Sequence, residues 1–154
     1  MSVEPSKSLD RRMMRVWRIH EAVGLVVVAA IAAAVLVFYR PLWLVVVCAA
    51  VVALQLVSFA VLPQVQYRRW RYEVTTTDVI VRSGLVVVKT TVIPMVRVQH
   101  VETKQGPVLK ANGLASVTIA TAGDSFEIPG LGTGEAEALR DQVAVLARIA
   151  QEDV

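Results

Sequence analysis

The chain has 154 residues, of which 55% are hydrophobic, with a mean hydropathy of +0.56 and a formal net charge of +3. This is too apolar for an ordinary soluble domain of that length. Met1–Arg71 carries 9 Lys/Arg against 3 Asp/Glu (+6), whereas Tyr72–Val154 carries 7 against 10 (−3), so the basic balance does not mark a nucleic-acid-binding domain.

The N-terminal stretch Met1–Leu9 is short and polar, contains Pro5, and is expected to be disordered. Asp10–Glu21 then interleaves Arg11, Arg12, Arg15 and Arg18 with Met13, Met14, Val16, Trp17 and Ile19. That pattern fits an interfacial lead-in with Trp17 at headgroup level. Residues 1–21 thus read as a basic head.

Two apolar runs follow, Ala22–Tyr39 (18 residues) and Leu42–Leu62 (21 residues), separated only by Arg40-Pro41 and free of charged side chains. About 20 apolar residues cross a bilayer as a helix, and in lipid the backbone must satisfy its own hydrogen bonds, so residues 22–62 read as a transmembrane hairpin. A cleaved signal peptide fits poorly: the first run starts late, is too long, and is followed at once by a second. The two-residue turn forces the helices antiparallel. Arginines crowd the outer ends (Arg11, Arg12, Arg15, Arg18; Arg68, Arg69, Arg71) while the turn has only Arg40, so both termini are expected in the cytoplasm. Alanines at 29, 30, 32–34, 49, 50 and 53 permit close helix packing. Gln55 and Ser58 are the clearly polar side chains at depth, and Gln55 needs a partner, on the other helix or on another protomer. With no Asp, Glu, Lys or His in either run, a transport pathway is not expected. The lone Cys48 lies in the second run and reads as a small apolar residue.

From Trp70 the period becomes that of strands. Residues 70–77 (WRYEVTTT), 78–84 (DVIVRSG), 85–93 (LVVVKTTVI), 95–104 (MVRVQHVETK), 114–121 (LASVTIAT) and 125–128 are rich in Val, Ile, Thr and aromatics and are punctuated by turn residues. After Pro129-Gly130 and Gly132 the period returns to 3.6. Thr133 is the expected N-cap, Glu135 and Glu137 suit the helix N-terminus, and Ala136, Leu139, Val143, Leu146 and Ala150 form an apolar stripe. Residues 63–154 therefore read as one small α+β domain: six or seven antiparallel strands closed by an amphipathic helix.

Within residues 93–123, Ile93-Pro94, Arg97-Val98-Gln99-His100, Gln105-Gly106-Pro107, Gly113-Leu114-Ala115 and Thr121-Ala122-Gly123 occur in an order and spacing that resemble the membrane-flanked bacterial pleckstrin-homology-like family, its YdbS-like members in particular. Gly134-Glu135-Ala136 and the paired spans fit the same layout. The resemblance implies a bent antiparallel sheet of about seven strands capped by a C-terminal helix. It does not bring a phosphoinositide pocket with it, because the early strands offer Arg82 and Lys89 rather than a dense basic cluster.

Catalytic signatures are missing: the chain contains no Walker A motif, no G-x-S-x-G and no H-E-x-x-H, and its Asp residues have no acid/base or metal spacing. No cofactor, metal or nucleic acid is expected. The expected partners are the lipid bilayer and another membrane protein or a second copy of the chain. Arg11, Arg12, Arg15, Arg18, Arg68, Arg69 and Arg71 are candidate contacts to anionic lipid. The residues Arg97, Gln99, His100, Gln105, Gly106, Pro107, Gly113, Thr121 and Gly123 are candidates for protein docking or for structural roles, with Arg97 and Gln99 expected to hydrogen-bond the Gln105-Gly106 turn. The expected function is a non-enzymatic membrane-anchored scaffold, with anionic-lipid sensing as the alternative.

Overall fold

A computed structural model describes residues 5–154, so the disorder expected for Met1–Leu9 falls partly outside the described residues. The chain divides into two compact units, Met14–Val65 and the remainder.

The first unit is helical. It holds most of α1 (Arg12–Phe38) and α2 (Leu42–Arg69). Between them Pro41 disfavours helix at Arg40, and its carbonyl accepts from Leu44 and Val45 N–H to open α2. Both helices are long and apolar enough to cross a membrane, and the most apolar stretch of each is unburied in the fold. Leu54 and Phe38 are 69% and 82% exposed. An apolar surface of this extent needs lipid around it, which distinguishes these segments from the core helices of a soluble protein. Gln55 finds its partner on the other helix: Nε2 donates to Glu21 Oε2 at 3.2 Å. Gly24 permits the approach, since a Cβ there would lie 3.3 Å from the Gln55 amide nitrogen. The Ser58 hydroxyl donates to Leu54 O in its own helix. The helix α2 runs past Leu62, where the apolar run stops, and through Pro63 to Arg69.

The second unit is α+β, with seven antiparallel strands and a C-terminal helix. Strands β1 (Lys7–Ser8), β2 (Arg71–Val74), β3 (Asp78–Ser83) and β4 (Lys89–Pro94) form one sheet in that order. A 3₁₀ turn (Met95–Arg97) leads into β5 (Val98–Lys104), which pairs with β6 (Leu114–Thr121), itself paired with β7 (Ser125–Gly132). A one-turn helix α3 (Pro107–Ala111) joins β5 to β6, and α4 (Thr133–Glu152) packs over β5, β6 and the 3₁₀ turn. It buries Ala136, Leu139, Val143 and Ala147, while Leu146 and Ala150 of the expected stripe are half-buried. Facing core residues include Val98, Leu114, Val117, Ile119, Ile128 and Leu131. Tyr72, 1% exposed, donates its hydroxyl to Glu135 Oε1 at 3.0 Å and ties β2 to the first turn of α4.

Four local expectations are corrected. The segment from Lys7 to Met13 is not a free head: Lys7 and Ser8 pair with Tyr72 and Arg71, Leu9 and Met13 are buried, and Asp10 N–H donates to Gly130 O at 2.9 Å. This segment covers the sheet edge that the four-residue β2 leaves open. Leu85–Val88 is a loop, not a strand; Gly84, with φ +143°, turns the chain, and the ladder resumes only where Ser83 opposes Lys89. Met95–Arg97 is a 3₁₀ turn following Pro94. Thr133 is the first helical residue, and its N–H and hydroxyl both donate to Gly113 O, so Gly132 takes the N-cap position.

Candidate functional site

Strand β5 is an edge strand of its three-stranded sheet, with no strand paired on its outer side among the described residues. The register slips between Val98 (opposite Thr121) and His100 (opposite Ala120), leaving Gln99 as the extra residue of a bulge. A bulge on an edge strand bends it and re-aims side chains. The preceding 3₁₀ turn presents Val96 and Arg97, both exposed. Across from them the β6–β7 turn is held by its own polar groups: Thr121 N–H donates to Asp124 O at 2.8 Å and Asp124 N–H donates to Thr121 Oγ1 at 3.2 Å. The two elements enclose a groove of about 630 Å³ lined by Val96, Arg97, Gln99, Thr121–Asp124 and Gln151. A second cleft of about 310 Å³, between β5 and α4, shares Gln99 and Gln151 and adds His100 and Arg148. Gln151 Nε2 donates to Val98 O at 2.7 Å and fixes the end of α4 beside the groove. Arg97 makes no ion pair among the described residues.

The structure thus sorts the family-patterned residues into two groups. Arg97, Gln99, Thr121 and Gly123 come together at the groove, with His100 next to it. His100 Nε2 and Lys104 Nζ each lie 3.2 Å from Glu102, and these hydrogen bonds, His100's first, hold the Glu102 carboxyl below the usual carboxylate range. Gln105, Gly106, Pro107 and Gly113 are braces elsewhere. Gln105 Nε2 donates to Leu114 O at 2.9 Å, Gly106 and Pro107 open α3, and Gly113 (φ +67°) accepts from Thr133. Arg97 and Gln99 form no hydrogen bond with the Gln105-Gly106 turn among the described residues, contrary to expectation; the bulge and the 3₁₀ turn direct them to the groove instead.

The arginines divide in the same way. Arg12 donates to both Asp10 carboxylate oxygens and to Asn112 O at 3.1 Å, so it braces the N-terminal segment. Its guanidinium is also the main reason that the Asp10 carboxyl titrates below its ordinary value. Arg11, Arg15 and Arg18 are exposed. Arg68, Arg69 and Arg71 line a cavity of about 510 Å³ with Pro5, Val88 and Arg82. Arg71 Nη1 also donates to the Tyr67 and Trp70 carbonyls at the C-terminus of α2, where the helix dipole favours a cation. Arg82 was hidden from sequence spacing because its neighbours come from three separate segments; only the strand register places it opposite Arg71. Asp124 and Gln151 carry no sequence signal that would join them to the groove. Among the described residues no group of three or more His, Cys, Asp or Glu side chains converges on a metal-sized site.

The chain is 40% identical to the UPF0699 transmembrane protein YdbS of Bacillus subtilis (strain 168), over 159 aligned positions that cover the whole of both chains. No solved structure matches it. The bacterial PH domain family matches residues 21–147, which take in both apolar runs and the β-rich unit from Gln66 to Ala147. The fold, the patterned groove and this full-length likeness together identify the protein as a transmembrane member of the bacterial PH domain family.

Proposed function

We propose that the protein is a non-enzymatic, membrane-anchored scaffold that presents its PH-like unit at the cytoplasmic face of the bacterial inner membrane and docks an extended segment of another membrane protein along the free edge of β5. The observation that carries this reading is the convergence of Arg97, Gln99, Thr121 and Gly123 on one open groove. An edge strand offers unpaired backbone groups to an incoming strand, and the side chains beside it give the selection. Topology supports the placement. Strand β1 precedes α1 and pairs with β2, which follows α2, so the two ends of the membrane segment belong to one folded unit, which supports a location on one side. The surplus of arginine at those ends favours the cytoplasm as that side.

Gly123 provides a clean test, since a Cβ there would meet nothing within 4 Å and a bulky residue fills the groove without disturbing the core. The full-length wild type and Gly123→Trp are each purified in mild detergent with whatever accompanies them. The expected result is a protein in fixed stoichiometry with the wild type that is lost from Gly123→Trp at unchanged thermal stability. A partner retained by Gly123→Trp, or nothing in fixed stoichiometry with the wild type, overturns docking at this groove. A stoichiometric second copy of the chain itself identifies the partner as a protomer.

A further inference from the structure

We propose that the β3–β4 loop and the arginines beside it make a second contact with the bilayer, the arginines holding lipid phosphate while the loop enters the apolar edge of the interface. This contact is independent of what the groove binds.

The loop is unusual for a turn between strands. Turns favour Gly, Asn, Asp and Pro, yet this one runs Leu85-Val86-Val87-Val88, with Val86 92% and Val87 79% exposed. It cannot fold back easily. Gly84 adopts φ +143°, and a Cβ there would lie 1.9 Å from Val87 O, so the turn is tight and holds the valines outward. A contiguous apolar tip of this kind marks a surface that meets an apolar medium.

The base of the loop is strongly cationic. Arg71 and Arg82 are direct register partners on adjacent strands, an arrangement that opposes like charges and that an anion between them would relieve, beyond what the Tyr67 and Trp70 carbonyls offer one nitrogen of Arg71. Arg68 and Arg69 complete the same cavity, and Val88 forms part of its wall, so the charged pocket and the apolar loop are continuous. None of the four arginines has an ion-pair partner among the described residues. Guanidinium groups bind phosphate oxygens in bidentate fashion.

Chain connectivity identifies the source of that phosphate. Arg68 is six residues beyond Leu62, the last residue of the second apolar run, and six residues of helix advance on the order of 9 Å. That is within about one Debye length of an anionic leaflet. A free phosphate would satisfy the arginines but leave the valines in water, whereas a bilayer headgroup region satisfies both. Tethering through α2 raises the local lipid concentration, so weak individual contacts suffice.

The test uses the full-length protein in lipid nanodiscs, with Cys48→Ala and Val87→Cys carrying an environment-sensitive fluorophore. In discs containing phosphatidylglycerol the label should show blue-shifted emission and quenching by lipids spin-labelled near the headgroup. Arg69→Gln with Arg82→Gln, which leaves the Arg71 contacts to α2 in place, should reduce the inserted population on the order of 10-fold. High salt should do the same in the labelled protein with its arginines intact, a control that needs no further variant. Aqueous emission in anionic discs overturns the proposal, as does insertion that ignores both lipid charge and the arginine substitutions. Inorganic phosphate shifting the label equally in neutral discs would overturn the assignment to lipid.

Discussion

Tyr72 shows how one polar atom closes this fold. Its ring is buried, and burial first, then the hydrogen bond to the Glu135 carboxylate, push the phenol pKa above its ordinary value of 10.0. A raised folded value means that the contribution to stability is complete below the unfolded pKa and is lost as pH rises through the folded one. The apparent melting temperature of the detergent-solubilised protein should therefore fall above about pH 10, where the unfolded phenol ionises first. Tyr72→Phe should cost about 1–2 kcal/mol at neutral pH and flatten that alkaline decline. An equally steep decline in Tyr72→Phe would assign it to other groups. At this scale the sequence is legible where residue type alone carries the message. Gln55 announces its need for a partner and finds Glu21. Gly113 needs its positive φ. The Arg71–Arg82 pair is illegible, because it depends on a register that spacing does not encode.

At the scale of elements, periodicity identified what was long and regular: α1, α2, α4, and strands such as β3 and β6, whose apolar residues are dense enough to define a buried segment. It failed where apolar residues do another job. Leu85–Val88 has strand composition, but a glycine turn removes it from the ladder. The N-terminal segment failed in the opposite sense, since Leu9 stands alone among polar residues and Met13 belongs to an arginine-rich stretch, and their burial follows from the pairing of Lys7 and Ser8 with β2 and the seat of Met13 against Gly130. That segment is pinned by Asp10, whose carboxyl the Arg12 side chain holds below its ordinary value of 3.8. A depressed folded value contributes stability above the unfolded pKa and loses it as pH falls through the folded one. Limited proteolysis within residues 5–13 should therefore accelerate below about pH 4, and Asp10→Asn should show faster cleavage already at pH 7. Unchanged cleavage in Asp10→Asn would show that Leu9 and Met13 hold the segment without the ion pair.

For the whole molecule, the sequence set out two spans and a small β-rich domain, and the family likeness follows that outline from end to end. What it concealed is that the domain is discontinuous, built from chain on both sides of the hairpin. Discontinuity turns the hairpin from a simple tether into a closed loop of the fold and leaves each span with no free end. The groove along β5 was legible as a set of patterned residues, yet its separation from the Gln105–Gly113 brace required the bulge at Gln99 and the 3₁₀ turn, neither of which has a sequence signature.

The most direct measurement is the sidedness of three cysteines in bacterial spheroplasts, each placed singly on a Cys48→Ala background at Ser6, Arg40 and Val154, all exposed positions. With a membrane-impermeant maleimide, Arg40→Cys should label in intact spheroplasts, while Ser6→Cys and Val154→Cys should label only after permeabilisation. Labelling of Ser6→Cys and Val154→Cys from opposite sides would contradict a single folded unit joined across the hairpin, and labelling of both from outside would contradict its placement in the cytoplasm.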